Sequence, residues 1–183
     1  YGEETNNLAA IMESLPPPEV SEQECARAIA DGADPELVEK MKYGKTGVMG
    51  VLRCGDGPVV GIRCDMDAIH VAECDTPDHI PSKEGFHSVY EGMNHSCGHD
   101  AHTAIGIGIA EAMIRLKEEG RLRGTLKLFF EPAEELFAGG RSMVDSGIAD
   151  DLTHLLAIHM AVHTKRTGQV AASVTDFPRI AKY

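Results

Sequence analysis

A chain of 183 residues, 43% apolar and 25% charged, has the length and composition of one globular domain with a sizeable core. Its formal net charge of −12, with no local cluster of Lys and Arg, argues against nucleic acid or an anionic membrane as partner. No tract is long and apolar enough for a transmembrane helix.

Leu8, Ile11, Met12 and Leu15 fall on helical spacing before Pro16-Pro17-Pro18, a stiff connector that ends the pattern. Ser21 with Glu24 reads as a capping box opening a short helix that closes near Gly32. Asp34-Pro35 reads as N-cap and first residue of a second helix through Met41. Both helices are rich in Glu and carry no evident chemistry. From Gly44 the character changes. Val48–Leu52 and Val59–Cys64 are strand-like runs joined by Gly55-Asp56-Gly57, which predicts a hairpin. Two carboxylates, Asp65 and Asp67, stand just past the second run. Cys74 to Gly92 has no periodicity and reads as a surface loop.

The apolar run that follows predicts a helix from about Thr103 to Gly120, with Arg115 and Lys117 favourably placed near its C-terminal end. Gly106 and Gly108 thin one face of it, as close packing on a sheet would require. Thr125–Phe130 is a buried-strand run, followed by Glu134-Glu135, and Gly139-Gly140 precede a short helix that stops at Gly147. Leu155–Ile158 is another apolar strand, closing on His159, and Gln169–Val174 is a possible further one. Strands alternating with helices predict an α/β sheet with helices on its faces. In such sheets ligands bind beyond the carboxyl ends of the strands. The acids and His159 stand at those ends.

The densest chemistry lies in Asn94-His95-Ser96-Cys97-Gly98-His99-Asp100-Ala101-His102-Thr103, where a thiol, three imidazoles and a carboxylate precede the long helix. Cys, His and Asp are side chains that hold divalent transition metals. Gly98 between Cys97 and His99 allows backbone angles that would aim both at one point. A helix N-terminus also favours a thiolate. Taken singly, each candidate has a plainer reading. Cys97 and His99 are also compatible with a buried thiol beside surface histidines, or less readily with a nucleophilic pair. Glu134-Glu135 would suit a helix start, and alternatively one carboxylate on a metal with the other free to take a proton from water. His159 alone is most simply a core histidine. Asp65 and Asp67 are surface acids or partners that orient ligating imidazoles. His70, His79, His87, His154 and His163 have no comparable setting. The five cysteines, Cys25, Cys54, Cys64, Cys74 and Cys97, are odd in number and lack the spacing of a disulfide framework. That fits a reducing compartment, with cytoplasm as the default. No signal peptide is visible, and the chain opens on Tyr1 rather than Met, which leaves room for an upstream segment.

In order, Arg63-Cys64-Asp65-Met66-Asp67-Ala68, then residues 94–103, then Phe130-Glu131-Pro132-Ala133-Glu134-Glu135, then Ala157-Ile158-His159 resemble the amidohydrolase branch of the aminoacylase/carboxypeptidase metallopeptidase family. Its members include hippurate hydrolases, N-acyl-amino-acid amidohydrolases and auxin-conjugate hydrolases. The region Ala33–Leu37 and the long loop between Asp67 and His95 look most like the p-aminobenzoyl-glutamate hydrolase A-subunit group. The resemblance implies a three-layer, zinc-peptidase-like catalytic domain. It also implies two divalent metal ions, Zn or Mn, held by Cys97, His99, Glu135 and His159, with Glu134 as general base toward a metal-bound water and Asp65 orienting the site from behind. The implied reaction is hydrolysis of the amide bond of a small N-acyl or N-aroyl amino acid, in a homodimer or a pairing with a related subunit.

Three residues depart from the family pattern: Glu131 where Gln is common, Asn94 where Met is common, and Ser96 where Ala is common. They are expected to tune the site. Family members are about twice as long, which suits two domains. Residues 1–183 are therefore read as a partial catalytic domain. The lid and dimerisation domain would begin near the C-terminus, and a later segment would supply one further His. The alternative is a catalytically inert metal-binding fragment with a regulatory or assembly role.

Overall fold

Among the described residues of this computed structural model, 15–160 and 166–171, four strands form one sheet in the order β1-β3-β2-β4. The centre belongs to β2 (Val59–Asp65) and β3 (Thr125–Glu131), the runs richest in β-branched and aromatic residues. They pair in parallel, Val59 opposite Thr125 and Asp65 opposite Glu131. The short β4 (His154–Ala157) lies parallel on the far side of β2, while β1 (Val48–Arg53) runs antiparallel along β3.

The hairpin expected between β1 and β2 does not form, because β3 is inserted between them. The strand order follows burial. β1 is only partly covered, whereas Leu128, Phe129 and Glu131 of β3 are buried, so the strand carrying the two phenylalanines takes the interior position. The turn at Gly55-Asp56-Gly57 instead carries the chain past the start of β3. Cys54 N–H donates to the Gly124 carbonyl (2.8 Å) and Thr125 N–H to the Pro58 carbonyl (2.9 Å).

Helices cover both faces, which gives the α/β layering expected. On one face α4 (His99–Glu118) packs on Ile62, Cys64 and Leu128, with Ile109, Ala110, Leu126, Phe130 and Ile158 around them. On the other, α5 (Gly139–Asp145) buries Ser142 and Met143, and the turn after it brings the Ile148 carbonyl and Asp151 onto the Lys127 ammonium. The small α1 (Pro18–Ala30), α2 (Pro35–Lys40) and α3 (Ile80–Glu84) lie outside this core.

Several sequence boundaries shift. Asp34 caps α2 as expected, accepting the Glu36 N–H at 2.8 Å. Ser21 does not cap α1, which starts a turn earlier at Pro18. Its hydroxyl is buried and accepts the Tyr43 N–H at 3.0 Å, tying α1 to the chain leading into β1. Helix α4 begins at His99 rather than near Thr103, and the loop 74–92 contains the one-turn α3. Leu8, Ile11, Met12 and His163 lie outside the described residues, as does most of Gln169–Val174, whose part 169–171 has no regular structure.

Of the two glycines expected to thin α4, only Gly106 faces the sheet. A Cβ there would stand 2.8 Å from the Phe130 ring and 2.9 Å from the Cys64 sulfur, while Gly108 has open space around it. Gly106→Ala is accordingly expected to destabilise the fold by about 1–2 kcal/mol, overpacking outweighing the helix-propensity gain. Gly108→Ala should stabilise it by up to ~1 kcal/mol. Urea denaturation of the two variants checks the difference in sign.

Candidate metal centre

Three parallel strands deliver their C-terminal ends to one edge of the sheet, and the N-terminus of α4 comes up beside them. From β2 come Arg63, Asp65 and, just beyond, Asp67; from β3, Glu131 and the turn holding Glu134 and Glu135; from β4, His159. Gly98 adopts φ +86, closing the turn that places Cys97 before the helix and His99 as its first residue. A Cβ at Gly98 would press on the Met160 side chain at 3.2 Å, so its absence lets the helix start approach the segment carrying His159.

His99 is completely buried at the centre. Its Nδ1 lies 2.9 Å from the Asp67 backbone carbonyl, an atom that only accepts, so the ring proton sits on Nδ1 and the Nε2 lone pair points into the site. Around that Nε2 stand Asp65 Oδ2 at 3.7 Å, Glu135 Oε1 at 3.7 Å and Glu134 Oε2 at 3.9 Å. His159 repeats the arrangement: its Nδ1 meets the Met160 carbonyl at 3.0 Å, and its Nε2 lies 3.6 Å from Cys97 Sγ. Asp67 does double duty at the rim, since its Oδ2 accepts the Glu135 N–H at 3.1 Å.

Neither His99 Nε2 nor Glu135 Oε1 has a hydrogen-bond partner, and both atoms are buried. Two buried acceptors facing each other without a donor are costly unless a cation lies between them. Ligating atoms of Cys97, His99 and His159, and those of His99, Glu134 and Glu135, each lie within 4.8 Å of one another. Thiolate, imidazole and carboxylate at that spacing fit divalent transition metals such as zinc.

The family model for peptidase family M20/M25/M40 matches residues 61–178, a span that holds every one of these side chains. The chain belongs to that family. Among its M20 relatives, the A-subunit of p-aminobenzoyl-glutamate hydrolase from Escherichia coli (strain K12) is 37% identical over 183 residues, 100% of this chain and 41% of the relative. Indole-3-acetyl-aspartic acid hydrolase of Enterobacter agglomerans is 38% identical over 158 residues, 86% of this chain and 36% of the relative. A solved Bacillus subtilis structure, described as a dinuclear metal-binding peptidase from the M20 family, superposes with a TM-score of 0.53 at 32% identity, covering 78% of this chain and 36% of that one. The chain thus spans about two fifths of the length of the first of these M20 relatives.

The charge at this M20 site is strongly negative. Burial pushes the Cys97 thiol up to about 11, assisted by its contact with Glu135 and by the charges of Glu134 and Asp65. In the metal-free site burial and these acids therefore outweigh the helix dipole, which by itself would favour the thiolate. Divalent metal binding at neutral pH is accordingly expected to release about one proton, and affinity should rise with pH. Calorimetry in buffers of different ionisation enthalpy measures that proton directly. Glu134 is also pushed up, mainly by burial; Arg63 opposes the shift while Asp65 and Glu135 add to it.

Arg63 is the residue to which the sequence assigned no role. Its guanidinium pairs with Asp65 and Glu131 and reaches Glu134 Oε1 at 3.7 Å. The i, i+2 spacing of Arg63 and Asp65 on a strand was the available signal. Buried Glu131, one of the departures from the family pattern, thus meets a guanidinium instead of adding an unbalanced charge. The other two departures satisfy each other: Asn94 Oδ1 accepts from Ser96 N–H (2.7 Å) and from its hydroxyl, bracing the turn into Cys97. Asp65 is wholly buried, with Oδ1 against His102 Nδ1 and Oδ2 against the Arg63 guanidinium. Asp100 and His95 are exposed and stay outside the cluster.

Proposed function

We propose that the protein of which these residues form part is a metal-dependent hydrolase of the amide bond in N-acyl or N-aroyl amino acids, such as p-aminobenzoyl-glutamate or hippurate. The observation that carries this reading is the pair of imidazoles, His99 and His159, each with its proton tied to a backbone carbonyl at Nδ1 and its Nε2 turned toward Cys97, Glu134 and Glu135. In this reading Cys97, His99, Glu135 and His159 hold two divalent ions, Zn or Mn, with the thiol suiting Zn by softness. When bound, such ions polarise the amide carbonyl and acidify an attacking water.

The chain's own residues do the proton transfer. Glu134 takes the proton from the attacking water and passes it to the leaving amine nitrogen. Arg63 lies 3.7 Å from Glu134 Oε1, while Oε2 stands on the side of His99. Asp65, paired with Arg63, holds the imidazole of His102 beside the site. A lid and dimerisation domain, and a further His from a later segment, would complete the site in the longer protein. The Escherichia coli relative is an A-subunit by name, which supports pairing with a related subunit. A homodimer is the other arrangement.

The test is hydrolysis by the full-length protein, loaded with Zn²⁺ or Mn²⁺, of p-aminobenzoyl-glutamate, hippurate and a set of N-acetyl amino acids. Release of the free amino acid that stops on chelation and returns with metal is the expected result. Stoichiometric metal binding with no hydrolysis of any member would favour the inert metal-binding reading. Hydrolysis that survives complete metal removal would sink both.

A further inference from the structure

His102 stands one helical turn after His99, fully buried, and its ligating atoms lie within 4.8 Å of those of Asp65 and His99. Proximity alone would make it another metal ligand. Its hydrogen bonds exclude that. The Met160 backbone N–H donates to His102 Nε2 at 2.8 Å, and a backbone N–H can only donate. The Nε2 lone pair is therefore occupied, the ring proton sits on Nδ1, and Nδ1–H faces the carboxylate of Asp65, itself wholly buried. Neither nitrogen is left to ligate.

We propose that His102 is a positioning residue, which sets His159 in the metal site by holding the Met160 peptide, and is not itself a ligand. Strand β4 ends at Ala157, so His159 and Met160 lie in irregular, exposed chain beyond the sheet's hydrogen bonding. Met160 is gripped from two sides: its N–H by His102, and its carbonyl by His159 Nδ1 at 3.0 Å. The same residue thus anchors the segment to α4 and fixes which nitrogen of His159 points inward. The ring of His159 stands edge-on to that of His102 with centroids 4.7 Å apart, and its Nε2 comes to 3.6 Å from Cys97 Sγ. Asp65 in turn is pinned by Arg63, so the line Arg63–Asp65–His102–Met160 runs from β2 through α4 to the segment after β4. Supporting partners of this kind fix the orientation and tautomer of ligating histidines.

The inference rests on the metal-site reading above, and the test separates the two. His102→Gln can keep an acceptor for the Met160 N–H while losing the donor to Asp65. His102→Asn keeps a donor toward Asp65 and loses the acceptor. Co²⁺ titration of the full-length protein, followed through the thiolate-to-cobalt charge-transfer band, reads the Cys97 side of the site without requiring turnover. His102→Asn is expected to weaken Co²⁺ binding by roughly 10–100-fold, with His102→Gln close to wild type. Asn binding as well as wild type, Gln binding more weakly than Asn, or both weakened alike in step with a loss of thermal stability would each overturn the proposal. Histidine ¹⁵N NMR of the metal-free protein supplies a second readout: His102 should carry its proton on Nδ1, and a proton on Nε2 overturns the proposal. Wild-type protein that binds no Co²⁺ would instead sink the metal reading, while the NMR result still decides the role of His102.

Discussion

Glu134→Gln should lower kcat for amide hydrolysis by roughly 10²–10⁴-fold, the range for loss of a positioned general base, while leaving metal content unchanged. The amide keeps the size of the side chain and can still meet Arg63 through its oxygen, so the turn 132–138 is not expected to rearrange. What it loses is the capacity to accept a proton. Glu134 suits that capacity because burial raises its proton affinity and Arg63 restrains the rise. A base held between those influences works near neutral pH more readily than an exposed carboxylate. Metal analysis and steady-state kinetics on the same preparation give the decisive pair of numbers. Retained turnover would remove Glu134 from the mechanism, and lost metal would make it a ligand.

His99→Ala should have the larger effect on metal binding. Its Nε2 is the atom around which the carboxylates of Asp65, Glu134 and Glu135 converge, and His99 belongs to every ligand group the site can form among the described residues. Losing it removes the central neutral donor and leaves those acids facing one another. The loss in affinity should exceed the roughly 10–100-fold typical of a lost supporting partner, with bound metal falling below one ion per chain after dialysis. Because His99 is buried and packs against the ring of His102 at 5.3 Å, thermal unfolding must accompany the metal analysis. A variant that stays folded and keeps its metal would show that the site is built around other atoms.

The two variants together probe how much of this centre is legible in a linear chain. Asp65, Cys97, His99, Glu134, Glu135 and His159 could be placed at one sheet edge because each stands near the end of a strand or the start of a helix. Taken singly each had a plainer reading, and their roles came from the resemblance carried by the four motifs in order. The α/β class was legible because apolar runs alternate with a helical period over lengths that individual residues do not blur. The hairpin between β1 and β2 was misread because a Gly-Asp-Gly turn is a local signal. Which strand fills the centre is settled by burial of Leu128 and Phe129, residues some seventy positions away.

The same division runs through the site. By itself the sequence determined which chemical groups are available, their approach to one edge of an α/β sheet, and the pivot at Gly98, since all of these depend on residue type and near neighbours. Only the tertiary structure decided what each group can do. The carbonyls of Asp67 and Met160 choose which nitrogen of His99 and His159 faces inward. The Met160 N–H occupies His102 Nε2, Arg63 pairs with Glu134, and burial beside Glu135 raises the pKa of the Cys97 thiol in the metal-free site. Proton position and charge in a buried cluster are set by the atoms in contact, and here those atoms come from segments far apart in the chain.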